Sequence, residues 1–241
     1  MKKVSPDELN KILNNNLDFV LELNILQEQK LCVKPIYKII DAFVCDENIP
    51  EFCLIYSEAD DPEEIFISLS SKKFEKILSE YKNCRIIFHG ETGDGEFCES
   101  FYRYAEHTQN PGNCKILSLE DKNLCKKIAK DSYFGRIFHD FIEKKIYRDC
   151  GMIAAFDNQN NFLGYLAYYE IAENIRDISY IYVAEKFRGR EYGKDLLNFF
   201  ANKNAEENKI SYYSYADGEI SEKLAKSCGF LPCAKRYEII K

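Results

Sequence analysis

Short strands interleaved with amphipathic helices predict an α/β protein built in two parts. Three observations carry that prediction. Stretches with apolar residues at helical spacing alternate with short runs rich in Ile, Val, Phe and Tyr. A hairpin is written into the second half, where two apolar runs flank the polar turn Asp157 to Asn161. The run Asn110-Pro111-Gly112-Asn113 is the clearest turn signal in the chain, and it divides an N-terminal domain, 1–112, from a C-terminal domain, 113–241.

The chain opens on a helix entry. Ser5 is placed to cap, Pro6 suits the first helical turn, and Glu8 completes a capping box ahead of Leu9, Ile12 and Leu13. A second apolar stretch runs from Leu17 to Leu26. Three strands follow, Ile40 to Cys45, Glu51 to Ser57 and Glu64 to Leu69, separated by polar turns. A helix is expected over Lys72 to Tyr81, a buried strand over Arg85 to Phe88, and another helix around Phe97 to His107.

The second half starts on a short strand, Lys115 to Leu117. A capping box at Ser118 to Asp121 introduces a helix with Leu124 and Ile128 on one face, and Phe138, Phe141, Ile142 and Ile146 suggest the next. The hairpin strands are Met152 to Phe156 and Phe162 to Ile171, with a further strand at Ile178 to Val183. A loop with glycine and arginine leads into a helix bearing Leu196, Leu197 and Phe200. The chain ends with a strand from Ile210 to Tyr215, a helix from Ser221 to Ser227 and a strand from Cys233 to Ile240. The order in this half is β-α-α-β-β-β-α-β-α-β, and the first half follows a related order with little shared sequence.

Composition narrows the function classes. The net charge of −7 over 241 residues comes with no basic stripe, so nucleic acid is not an expected partner. An acidic surface suits a cationic amine better than an anion. The ten cysteines form no Cys-x-x-Cys and pair with no nearby His, so neither zinc nor a disulfide framework is expected. No apolar run approaches the ~18 residues needed to span a bilayer, and none follows Lys2 and Lys3 as a signal would. A cytoplasmic protein with no membrane association is the expectation.

The informative stretch runs from Ile181 to Leu197. A strand ends at Val183, a loop crosses, and a helix starts near Tyr192. Amides at a helix start have no partner inside the helix, and with the helix dipole they favour an anion such as a pyrophosphate. Arg188 and Arg190 add positive charge, and Gly189 and Gly193 permit close approach to the backbone. This stretch resembles the GNAT acyltransferase superfamily, whose hallmark is R/Q-x-x-G-x-G/A between an apolar strand and the following helix. Val183, Arg188 and Gly193 fall on matching positions, while Glu191 stands where the first hallmark glycine belongs. Gly164, ahead of the third strand of the family, and Cys228-Gly229-Phe230, similar to its Leu-Gly-Phe, extend the resemblance over about residues 114 to 241.

The resemblance implies a mixed, mostly antiparallel sheet flanked by helices, with the N-terminal domain as a degenerate GNAT-like repeat. It implies acetyl-coenzyme A as cosubstrate, no metal, and a small-molecule or peptide amine as acceptor. The segment Tyr182, Val183, Arg188, Gly189, Arg190, Glu191, Tyr192, Gly193 and Lys194 is implied to bind the coenzyme, with an amide of Tyr182 or Val183 as oxyanion donor. Asp177 stands where the family often carries its general base, and Glu170 is the fallback. The tyrosine that commonly protonates the leaving thiolate lies four before the glycine of Gly-Phe; here that position is Ala225, with water, Tyr213 or Tyr215 as substitutes. Glu191 and Ala225 together favour a competing function, a catalytically degenerate module that senses acyl-coenzyme A.

Other signals point nowhere further. The glycine-rich run Gly90 to Gly95 carries Glu91 and Asp94, which repel phosphate, and lacks a Walker lysine. His89, His107 and His139 show no nucleophile pattern, and Ser211 and Ser214 have no nucleophile-elbow context. The many tyrosines between 165 and 215 divide by strand alternation between core and pocket.

Overall fold

The computed structural model describes residues 2–13, 19, 22–23, 25–26, 37–46, 51–70, 72–81, 84–89, 96–103, 112–121, 123, 134–145, 149–172, 174–214 and 218–240. In chain order the strands are β1 (Lys2–Lys3), β2 (Tyr37–Asp46), β3 (Glu51–Glu58), β4 (Ile65–Leu69), β5 (Cys84–His89), β6 (Glu96–Arg103), β7 (Cys114–Ile116), β8 (Cys150–Phe156), β9 (Phe162–Ala172), β10 (Ile175–Val183), β11 (Ile210–Tyr213) and β12 (Leu231–Ile240). The helices are α1 (Pro6–Leu13), α2 (Glu75–Leu78), α3 (Phe134–Phe138), α4 (Tyr192–Glu206) and α5 (Gly218–Ser227), and α3 runs on into a wide π-type turn over His139–Glu143. The helix expected around Leu124 and Ile128 lies outside the described residues, as do the glycine run 90–95 and Tyr215.

By internal contacts the chain divides into Met1–Ser100 with Pro232–Lys241, and Phe101–Leu231. The turn at 110–113 therefore falls inside the second unit. The last strand joins the first unit because β12 pairs antiparallel with β5. Within the first unit the strand order is β1-β2-β3-β4-β5-β12, with β4 and β5 parallel and the other pairs antiparallel. Within the second it is β7-β8-β9-β10-β11-β6, with β10 and β11 parallel and the others antiparallel. Position by position the two orders agree, so the fold is a repeated mixed, mostly antiparallel α/β unit. In each, the strand beyond the parallel pair comes from the other half of the sequence.

That exchange explains one error of the sequence reading. A helix is expected around Phe97 to His107, following the glycines at 90, 93 and 95, but Glu96–Arg103 is extended. It is a strand, and Phe101 to Arg103 pair with Tyr213 to Ser211 of β11. Backbone pairing against a waiting edge overrides a local pattern of that kind. The helix expected over Lys72 to Tyr81 is also shorter, a 3-10 turn at Lys72–Phe74 leading into α2.

The first unit begins as the sequence dictates. Ser5 N–H donates to Glu8 Oε2 at 2.8 Å and Glu8 N–H donates to Ser5 Oγ at 3.2 Å, the reciprocal capping box. β3 is buried on both faces: Phe52, Leu54 and Tyr56 pack with Leu9, Leu13 and Leu23, while Cys53 and Ile55 pack with Ile67, Leu69 and Phe74.

The second unit has two cores as well. On one face of its sheet Leu163, Leu166, Tyr168 and Ile178 pack under Leu196, Leu197 and Phe200 of α4 and Ala225 of α5. On the other, Met152, Ala154, Tyr165 and Ala167 pack under Phe134, Phe138 and Phe141. Among the described residues no helix is long and apolar enough to cross a membrane.

An ion cluster around a buried arginine pins the start of the parallel pair. Arg176, 3% exposed in its side chain, donates to Asp149 and Glu207 and to Asn204 Oδ1 at 3.1 Å. Asn204 Nδ2 in turn donates to Ser211 Oγ of β11 at 2.8 Å. Lys209 bonds both Asp149, at 2.5 Å, and Glu170, at 3.2 Å. Partial burial alone raises the Asp149 carboxyl, but the hydrogen bonds from Lys209 and Arg176 and their charges prevail and hold it at about 2, below the usual 3.8. Because the folded value is depressed, this contribution to stability is complete above the unfolded value and is lost as pH falls towards 2. Glu170 works the other way, since burial raises it despite Lys209. Urea unfolding at pH 7 and pH 3 should show the wild type losing stability on acidification, and Asp149→Asn should be destabilised at pH 7 while losing less between the two.

Candidate active site

The second unit opens where β10 and β11 stop pairing. Their parallel register runs from Ile175↔Ile210 to Asp177↔Tyr212 and ends there. Beyond Asp177, β10 keeps its antiparallel partner β9, but Ser179 is skipped between the pairs Ile178↔Tyr168 and Tyr180↔Ala167. Such a bulge turns and twists the strand. The result is a fork. Inside it lies a cavity of about 380 Å³ lined by Asp177, Tyr180, Tyr169, Tyr213, Ser214 and Ser221 with the intervening β10 residues. Tyr169 belongs to the core under α3 and Tyr213 to the core under α4, so the lining draws on both faces of the sheet.

Asp177 sits at the crotch of the fork, 4% exposed. Its Oδ1 accepts the Ser214 N–H at 3.0 Å and its Oδ2 accepts the Ser214 hydroxyl at 2.5 Å. One carboxylate thus ties the two lips together just where their ladder ends. Aromatic rings flank it: Tyr180, 37% exposed, stacks on the fully buried Tyr165 at 5.7 Å between centroids.

The far end of β10 carries a backbone donor. Ala184 N–H donates to Leu163 O of the β9 side at 2.9 Å. Strand alternation then turns the Val183 N–H away from β9, towards the gap, and directs the Tyr182 N–H at β9. Of the two residues expected to donate to an oxyanion, Val183 has the required direction. Gly164 makes this approach feasible. A Cβ there would lie 2.3 Å from Tyr182 O and 3.0 Å from Val183 Cα, so the close crossing of β9 and β10 admits only hydrogen.

The loop from Ala184 to Glu191 is held by few groups. Arg188 Nε donates to Val183 O at 3.1 Å, which closes the loop onto the strand end. Gly189 has φ +74 and a Cβ there would meet nothing within 4 Å, so its backbone faces open space. Glu191 precedes α4 with φ 68, an uncommon conformation for a residue with a side chain. Its carboxylate bonds Lys194 Nζ at 2.6 Å, an exposed pair whose hydrogen bond and charge raise the Lys194 ammonium. The acid is thereby drawn along the helix. Gly193 is spent on packing: a Cβ would lie 3.2 Å from Leu224 of α5. Tyr192 packs on the core, edge-on to Phe187 at 6.3 Å. Arg190 is exposed. Deeper in α4, burial and the Glu191 charge raise the Asp195 carboxyl, and burial pushes the neighbouring Cys114 thiol up to about 12.

The structure therefore brings Asp177, Val183 and the segment from Arg188 to Lys194 along one strand-loop-helix path. Glu170 does not join them; it lies in the ion cluster with Lys209, outside the cavity lining. Ala225 is fully buried in the core. Ser214, set aside on the sequence, faces Asp177 across 37 positions of chain, a separation that carries no sequence signal. Ser221 likewise emerges only from the fold. Among the described residues no cluster of His, Cys, Asp or Glu is placed to hold a metal. In the first unit, among the described residues, β4 and β5 stay in register from Ile65↔Cys84 to Leu69↔Phe88. There, Glu22 Oε1 accepts Ser68 Oγ at 2.5 Å and lies 2.9 Å from His89 Nε2, all within a buried cluster.

Residues 119–230, which contain the whole fork and the loop after it, match the model of the acetyltransferase (GNAT) family. This stretch is a GNAT acetyltransferase domain. None of the curated proteins matches the sequence. Solved structures similar to the chain include an acetyltransferase of the GNAT family from Colwellia psychrerythraea, 13% identical with a TM-score of 0.54, covering 100% of this chain and 99% of that one. A GCN5-related N-acetyltransferase from Kribbella flavida is 11% identical with a TM-score of 0.52, covering 93% and 95%. A tandem GNAT protein from the clavulanic acid biosynthesis pathway is 9% identical with a TM-score of 0.51, covering 99% and 97%. At such identities the likeness concerns the fold, and the tandem neighbour accords with two GNAT-like units here. The family fold is one of acyl transfer.

Two glycines of the GNAT domain should separate in their tolerance. Gly164→Ala must move backbone and is expected to cost about 1–3 kcal/mol by denaturant unfolding. Gly189→Ala meets no atom and should cost only the left-handed backbone penalty, about 1–2 kcal/mol, without shifting the β9–β10 pairing seen by amide exchange.

Proposed function

We propose that the GNAT domain transfers an acetyl group from acetyl-coenzyme A to a primary amine of a small molecule or peptide. The observation that carries this is the fork, with a buried carboxylate at its crotch, a backbone donor turned into its gap, and a helix start directly after it. The loop and the first amides of α4 suit the coenzyme's diphosphate, because amides at a helix start combine unmatched donors with a positive dipole end. Gly189 leaves that approach open, and Lys194 neutralises Glu191 beside it.

The chain's own groups then divide the chemistry. Val183 N–H supplies a hydrogen bond where negative charge develops on the thioester oxygen. Asp177 accepts a proton from the ammonium form of the acceptor, since only the neutral amine has a lone pair to attack. Among the described residues the cavity lining holds Asp177 and three phenols and no Lys or Arg, which favours a cationic head and disfavours an anionic one. The leaving thiolate takes its proton without a tyrosine on α5, because Ala225 occupies that place.

Ala225 also favours a second function, in which the domain binds the thioester and senses it. Thermal unfolding with acetyl-coenzyme A, coenzyme A and ATP tests binding, since a ligand of the native state raises stability by mass action. Acetyl-coenzyme A should raise the melting temperature, and ATP alone doing so would overturn both functions. Thiol release with polyamines, amino acids, aminoglycosides and peptides then separates the two, turnover favouring the transferase and its absence the sensor. Arg188→Ala combined with Arg190→Ala should weaken coenzyme binding by roughly tenfold, on the order of 1.4 kcal/mol, measured by calorimetry.

A further inference from the structure

Resting on the transferase function proposed above, we infer that Ser214 relays the acceptor's proton to Asp177, so that base catalysis in this domain belongs to a serine–aspartate pair. The two residues line the same cavity from opposite lips of the fork. Asp177 is 4% exposed and Ser214 7%, so both show little surface to solvent. Both carboxylate oxygens already face Ser214: one accepts its amide N–H at 3.0 Å and the other its hydroxyl at 2.5 Å.

A hydroxyl in that arrangement donates along one direction and keeps two lone pairs for others. An ammonium in the cavity donates to Ser214 Oγ while the serine's own proton shifts to Asp177 Oδ2. The N–H bond breaks, the Ser214 O–H is exchanged, and Asp177 becomes a neutral acid. The amine's freed lone pair forms the C–N bond, and the C–S pair leaves on sulfur. The second nitrogen proton ends on that sulfur as the tetrahedral intermediate collapses, giving amide and free thiol. Asp177 then returns its proton to solvent through Ser214. The remaining titratable groups of the lining are the phenols of Tyr169, Tyr180 and Tyr213. Among the described residues, the charged groups along these strands include Arg176 with its partners Asp149 and Glu207, and Lys209 with Asp149 and Glu170.

A clasp that only holds the strands makes a different forecast. Ser214→Ala removes the hydroxyl and keeps the amide bond to Asp177, so the fork and acetyl-coenzyme A binding should survive. Turnover of the best acceptor should fall on the order of 10²-fold, with the acid limb of kcat/KM moved to higher pH because Asp177 loses a donor. Ser214→Thr, which restores a hydroxyl, should recover most of the rate. In mixed light and heavy water the wild type should give a curved proton inventory, from two protons in flight, and Ser214→Ala a linear one. Unchanged turnover and inventory in Ser214→Ala would overturn the relay while leaving the transferase intact. Should the wild type turn over no amine, infrared titration still reads the pair, with Asp177→Asn as the blank. A carboxyl C=O band that Ser214→Ala leaves in place overturns it there too.

Discussion

Parallel strands that part leave main-chain groups facing each other without a ladder, and something has to satisfy them. In the second unit β10 and β11 part after Asp177, and the candidate site is built from how that gap is managed. The Asp177 carboxylate spans it on the closed side. The bulge at Ser179 widens it. The amide of Val183 is left pointing into it. Behind the crotch, Arg176, Asn204 and Ser211 keep the paired segment from unzipping further. A ligand that threads the opening therefore meets hydrogen-bonding groups already fixed in place, which is the condition for electrostatic catalysis.

The first unit shows the same order of strands with the opposite outcome. Its parallel pair remains zipped, and buried Glu22, Ser68 and His89 bond one another at its end. One strand order thus carries a parallel pair that parts at Asp177 in one unit and, among the described residues, one that stays in register in the other.

Much of this was legible in the sequence because local chemistry fixed it. The capping box at Ser5 and Glu8, the hairpin around Asp157, and the strand-loop-helix from Val183 to Leu196 are each dictated by neighbours in the chain. Asp177 was singled out by its place near the head of a strand, and that strand is there. What escaped is what depends on distant chain. The helix expected around Phe97 to His107 gives way to a strand whose partner, β11, lies more than a hundred residues on. Ser214 meets Asp177 only because β10 and β11 run side by side. Glu170 was equally eligible by position, but Lys209, remote in sequence, draws it into an ion pair. Gly193 was expected to let a ligand or a neighbouring element approach the backbone, and Leu224, distant in sequence, is the neighbour that approaches it.

The exchange of β6 and β12 has a bearing on how this chain can be cut. Any fragment ending near Gly112 takes β6 away from β11 and leaves β5 with a bare edge. Its complement begins without β6 and trails β12 with nothing to bind. Bare edges of this sort recruit other chains. A cut at that turn thus divides the sequence without dividing the sheets, because each unit takes its last strand from the far side of the cut.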